Sequence, residues 1–140
     1  MTRAVFVRNR RVISVRDQAA VINLKWPTFR SEIKGGRLVC VGDLQPSSSH
    51  LCYRTRVSYA VPQTPNVMVV SPSLQPRIPG GRVEHTYSDG SICAFHPSDW
   101  RPDRYLALTV LPWACRWLHV YEVWLVTGEW DAHGIHPSQP

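Results

Sequence analysis

From Tyr105 to Val126 the chain is almost continuously apolar, and Arg116, His119 and Glu122 return at three-residue steps along one narrow edge. Around that edge Trp113, Ala114, Trp117, Leu118, Tyr121, Trp124 and Leu125 make a wide apolar surface, the signature of a helix sunk into a core. Roughly 20 apolar residues suffice to span a membrane, but Pro112 and the charged edge argue against a span. The pattern predicts a buried helix of about four turns, with Pro112 at its first position and Gly128 stopping it. Trp117, Leu118, Tyr121 and Leu125 should be mostly buried. The Trp113, Trp117 and Trp124 stripe reads as core, with any edge-exposed member open to a partner.

Upstream the period changes. Val5 to Val15 is basic and β-branched and stays unassigned or partly extended. Ser14 or Asp17 caps a helix through Ala19, Ala20, Ile22 and Leu24 that ends before Pro27. Three strands follow, Arg37 to Gly42, Tyr53 to Tyr59 and Asn66 to Ser71. Phe29 to Ile33, ahead of Gly35-Gly36, supplies a short leading strand. In the Tyr53 strand, Tyr53, Thr55, Val57 and Tyr59 share one face, and Arg54, Arg56 and Ser58 the other. Pro72, Pro76 and Pro79 force a loop up to Gly80-Gly81. The expected fold is α/β of the α+β kind: helix, antiparallel meander of three or four strands, long loop, Trp-rich helix. A chain of 140 residues, 44% hydrophobic, fits one domain over 1–140, with irregular tails over 1–13 and 129–140.

Charge adds a partner question. The net +6 comes from fourteen arginines against two lysines, Lys25 and Lys34. Arg3, Arg8, Arg10, Arg11 and Arg16 crowd the N-terminus, where they form either a solvated basic face or a surface for an acidic protein or nucleic acid. No nucleic-acid motif or aromatic-interleaved patch accompanies them, so nucleic acid is not the expected partner. Scarce lysine suits an enzyme that holds an activated acyl group near its own amines, since arginine stays protonated; codon bias would do the same.

The four cysteines show no CxxC spacing and follow no signal peptide. Their even number leaves a disulfide framework formally open, but a reduced, cytoplasmic chain with one reactive thiol fits better. Cys40, Cys52 and Cys115 lie within periodic strands or the long helix and read as packing residues. Asp131-x-His133-x-x-His136 has zinc-type ligands but lacks a fourth partner, so no metal or other cofactor is expected.

Cys93 is the exception. It follows a polar turn in His85-Thr86-Tyr87-Ser88-Asp89-Gly90-Ser91-Ile92-Cys93, and Trp100-Arg101-Pro102 comes soon after as a helix start. Thioester exchange needs an accessible thiolate; a free cysteine is only a few per cent ionised at neutral pH, and His85 or His96 would raise that fraction. Tyr87 is expected to pack under the loop and Gly90 to supply a positive φ. Asp99 and Asp103, flanking the Trp-x-Pro, either orient an incoming amine or cap a helix.

This stretch resembles the active-site segment of ubiquitin-conjugating enzymes, in which H-P-N-x-Y-x-x-G-x-x-C precedes W-x-P. Aligned on Cys93, Tyr87 and Gly90 match, His85 stands on the asparagine, and Val83 and Glu84 replace the His and Pro. Tyr53-Arg54-Thr55-Arg56-Val57-Ser58-Tyr59, Pro62 and Pro65-Asn66-Val67 look like that family's strand signature, so the likeness covers roughly Arg37 to Pro112. Gly90-Ser91-Ile92-Cys93, Pro112-Trp113-Ala114-Cys115-Arg116-Trp117-Leu118 and Thr127-Gly128-Glu129-Trp130 resemble a bacterial branch, the stand-alone proteins of short type II CBASS anti-phage operons. The resemblance implies a Cys93 thioester with a protein C-terminus, that of a cGAS-like nucleotidyltransferase, passed on to an amine. It makes His85 either the oxyanion donor or a loop-shaping residue, with Tyr87, Gly90 and Asp99 as supporting candidates. An inert binding module of the same fold and a cysteine hydrolase are the alternatives.

Overall fold

The computed structural model describes residues 11–131. Helix α1 spans Val15–Lys25 and is capped by Ser14, whose hydroxyl accepts from the Asp17 amide. Four strands follow: β1 Arg30–Lys34, β2 Arg37–Leu44, β3 Tyr53–Ala60 and β4 Asn66–Ser71. They pair antiparallel in the order β1-β2-β3-β4, the meander that the short turns dictate. Helix α2, Val110–Thr127, closes the described chain. The Trp100-Arg101-Pro102 segment starts no helix; it lies between two short 3₁₀ turns, Pro97–Asp99 and Leu106–Leu108.

Period-2 patterning decides which face of the sheet is covered. Leu38, Cys40 and Leu44 of β2, Tyr53, Thr55, Val57 and Tyr59 of β3, and Val67 of β4 are buried, while Arg54 and Arg56 point outward. Phe29 lies on Gly42, where any Cβ would collide with its ring. The covered face shares one core with Trp113, Trp117, Leu118, Tyr121 and Trp124 of α2. Leu125 is only half-buried. Arg116 and His119 form the exposed edge, as their spacing implies.

Helix α2 begins earlier than expected, at Val110, so Pro112 is its third residue rather than its first. Nothing is lost by this. The first intrahelical bond runs from the Trp113 amide to the Thr109 carbonyl, so position 112 needs no N–H. Gly128 ends the helix with φ +83°, and the Arg77 guanidinium rests against it, 2.6 Å from where a Cβ would stand.

A buried glutamine joins the N-terminal half to the last third. Gln18 donates from Nε2 to the Arg104 carbonyl and accepts at Oε1 from the Leu106 amide, both at 2.8 Å. Trp26 Nε1 donates to the Ala107 carbonyl beside it. The loop after β4 is strapped along α2, where the Gln75 amide donates to the Tyr121 hydroxyl at 2.7 Å. No helix among the described residues is long and apolar enough to cross a membrane.

Candidate functional site

Residues 85–93 form a small hairpin. Thr86 and Ile92 bridge antiparallel, the Tyr87 amide donates to the Ser91 carbonyl, and the Cys93 amide donates to the His85 carbonyl. The turn closes through the Gly90 amide to the Tyr87 carbonyl, and Gly90 has the expected positive φ, +90°. Asp89 makes the turn rigid: one carboxylate oxygen accepts from the Ser91 amide and hydroxyl, the other from Asn66 Nδ2. Those bonds, led by the Ser91 hydroxyl, hold its pKa below the ordinary value. Sequence reasoning noted Asp89 only as a turn residue; its spacing to Ser91 is the signal of a side chain that bonds its own turn.

The hairpin is docked at both ends. The Ile92 amide donates to Val67 of β4, and Trp117 Nε1 donates to the His85 carbonyl at 3.2 Å. Ile92 and Ala94 are buried on either side, which leaves Cys93 between them half-exposed. Its thiol points toward the Phe95 carbonyl at 3.9 Å, a loose contact.

His85 has a left-handed backbone, φ +52°, uncommon for a residue with a side chain. Its carbonyl takes two hydrogen bonds, and its exposed ring stacks on Trp130 with centroids 4.9 Å apart. Trp130 packs in turn on Trp117 and Trp124. The Thr127-Gly128-Glu129-Trp130 segment therefore folds back under the candidate site. Residues 132–140, with His133 and His136, and the arginines at positions 3, 8 and 10 lie outside the described residues.

Tyr87 does not pack under the loop. It is 46% exposed, with the Cys93 sulfur near its hydroxyl. Partial burial first, and that sulfur second, push its pKa up to about 12. A groove of about 650 Å³ lined by Val69, Leu74, Arg82 and Val83 lies on one side of Tyr87. A smaller one of about 280 Å³, lined by Pro65, Asn66 and Phe95, lies on the other.

The remaining candidates are arranged differently from expectation. The cap of the Pro97–Asp99 turn is His96, whose Nδ1 accepts from the Ser98 amide. Asp99 ends that turn, and Asp103 forms a two-point pair with Arg101, so neither aspartate caps a helix. Cys40 is buried, with its thiol pKa pushed up to about 12, and burial raises Cys115 to about 11. Cys52, by contrast, is exposed and lies one residue outside β3. It is not a packing residue: it falls in phase with the outward-facing Arg54 and Arg56 rather than with the buried Tyr53 and Thr55.

A family model described as type II CBASS E2 protein matches residues 18–137. The chain belongs to that family. It is thus a protein of the ubiquitin-conjugating type that works in CBASS defence with other components of its operon. No curated protein matches the chain.

Proposed function

We propose that Cys93 carries a protein C-terminus as a thioester and passes it to an amine, the donor being the cGAS-like nucleotidyltransferase of the operon. The observation that carries this reading is the setting of Cys93: a half-exposed thiol at the end of a hairpin docked onto β4 and Trp117, with the Tyr87 hydroxyl near its sulfur. The thiolate attacks the activated carbonyl, the previous leaving group departs, and the new carbon–sulfur bond stores the acyl group. An amine then adds to that carbonyl, loses its proton to solvent or a nearby base, and expels the thiolate. Grooves on both sides of Tyr87 suit an extended tail on one side and an approaching amine on the other. His85 stabilises the oxyanion or shapes the loop; Asp99 is the candidate for orienting the amine.

The lysines fit this chemistry. Lys34 lies in β1 and Lys25 ends α1, whereas Cys93 adjoins β4. Three strand spacings of roughly 4.8 Å each separate β1 from β4, which keeps the Lys34 amine away from an activated acyl group. The hydrolase alternative is less well supported, because a hydrolase base is oriented by a carboxylate or amide and His96 Nδ1 is bonded to Ser98 instead. The test is intact mass after co-expression with the nucleotidyltransferase. An adduct that thiols or hydroxylamine release, and that is absent from Cys93→Ala, is expected. An adduct that survives in Cys93→Ala removes the thioester, and an inert binding module would form no adduct at all.

A further inference from the structure

Far from Cys93 in the sequence, two histidines meet nitrogen to nitrogen. His50 of the β2–β3 loop and His119 of α2 bring Nε2 and Nδ1 to 3.0 Å, with rings tilted 55°. His50 is oriented from behind by Ser47, whose hydroxyl is 2.6 Å from Nδ1. The loop that carries it is tied to the helix: Glu122 Oε2 accepts from the Leu51 amide at 3.0 Å and the Tyr53 hydroxyl at 2.6 Å. Gln45 Nε2 donates to the His50 carbonyl at 2.7 Å. The pair is therefore held before anything binds.

We propose that His50 and His119 form a chelating site for a borderline-soft divalent cation, zinc being the representative probe, which clasps the β2–β3 loop to α2. Two imidazole nitrogens at Zn–N ~2.0–2.1 Å in tetrahedral geometry stand about 3.3 Å apart, so the gap widens by a few tenths of an ångström and the two rings turn until their lone pairs converge on the metal. In the metal-free pair one proton bridges His50 Nε2 and His119 Nδ1, on either ring according to the tautomer, and Ser47 Oγ donates to or accepts from His50 Nδ1 to match. When the cation binds, whichever ring carries the bridging proton moves it to its far nitrogen by exchange with water, and Ser47 accepts from His50 Nδ1. Both facing lone pairs then go to the metal, with a hydrogen-bonded group behind the ligand as metal-bound histidines commonly have. Imidazole donors favour zinc, copper or nickel over magnesium or calcium. No third His, Cys, Asp or Glu completes a metal cluster among the described residues, so water fills the other positions and the cation exchanges. Glu122, one turn along α2, adds favourable charge; Arg116, one turn the other way, opposes it.

The experiment is zinc titration of the full chain, read by melting temperature and by calorimetric stoichiometry. One zinc per chain is expected, with a rise of about 4 °C when free zinc is tenfold above its dissociation constant. Magnesium should give no shift. His50→Gln and His119→Gln should each weaken zinc binding at least tenfold while keeping the native circular dichroism spectrum. A Cys52→Ser, Cys93→Ser double variant should bind as the wild type does. No zinc shift in the wild type, an equal shift in both histidine variants, or loss of binding in the double cysteine variant overturns the site. Zinc affinity is read without any acyl donor, so the outcome is independent of the Cys93 chemistry.

Discussion

The His85 imidazole lies nearly flat on the Trp130 indole, with centroids 4.9 Å and planes 23° apart. This contact joins the C-terminal segment to the hairpin that bears Cys93, through a residue whose carbonyl also receives the Cys93 amide. Trp130→Ala should slow thioester formation on Cys93 about tenfold by freeing the ring, while Trp130→Phe should restore most of the rate, since a flat ring is what His85 rests on. Equal rates in wild type and Trp130→Ala would make the stack irrelevant to the chemistry.

His85 itself has two demands on it. Its left-handed φ is tolerated better by asparagine than by alanine or β-branched residues. His85→Asn should therefore keep both fold and much of the activity, as a neutral donor in a compatible backbone. His85→Ala should slow transfer to the amine more than loading, by up to ~10²-fold if a single oxyanion donor is lost. Single-turnover assays of the two steps decide the matter: equal losses in both steps and both variants, with a lowered melting temperature, would make the residue structural.

Thiol reactivity separates the cysteines into two pairs. Cys52 and Cys93 should react with iodoacetamide in the folded state, and Cys40 and Cys115, with raised pKa values and buried or half-buried sulfurs, should be slow. Of the two fast thiols, only Cys93 should be protected by a bound acyl group. Peptide mapping of the alkylated protein gives the result, and fast labelling of Cys40 would contradict the packing described for β2.

Leu118 is fully buried beneath the sheet. Leu118→Ala should cost ~2–5 kcal/mol in chemical denaturation, the range for truncating a buried leucine. A loss below about 1 kcal/mol is incompatible with its place in the core.

Stability should also fall on the alkaline side. The folded-state pKa of Cys40 rises from 9.0 to about 12 and that of Cys115 from 9.0 to about 11, both by burial. The unfolded chain therefore ionises these thiols first. Their contribution is complete below pH 9 and is lost as the pH climbs through 9 toward 11–12. Asp89 acts oppositely, losing its contribution as the pH falls below its ordinary value of 3.8. Melting curves from pH 7 to 11 should slope downward above 9, less steeply in a Cys40→Ala, Cys115→Ala variant; an unchanged slope refutes the assignment.

Local pattern determined much of this protein. Alternation in Tyr53–Tyr59 marks the buried face of β3, Gly35-Gly36 marks the first hairpin, Ser14 marks the start of α1, and Gly128 the stop of α2. Gly90 and the polar turn likewise mark the hairpin before Cys93. These features are legible because backbone geometry repeats over two to four residues and a side chain's period records it. Only the tertiary structure decided what meets across the chain. Trp130 reaches back to His85, Gln18 bonds to a segment 86 residues away, and His50 faces His119 across 69. Tyr87 stays half-exposed near Cys93 instead of packing beneath the loop, and Cys52 is exposed ahead of β3, in phase with the outward-facing arginines. Such contacts depend on how the docked elements are oriented, and no periodicity within a single element contains that information.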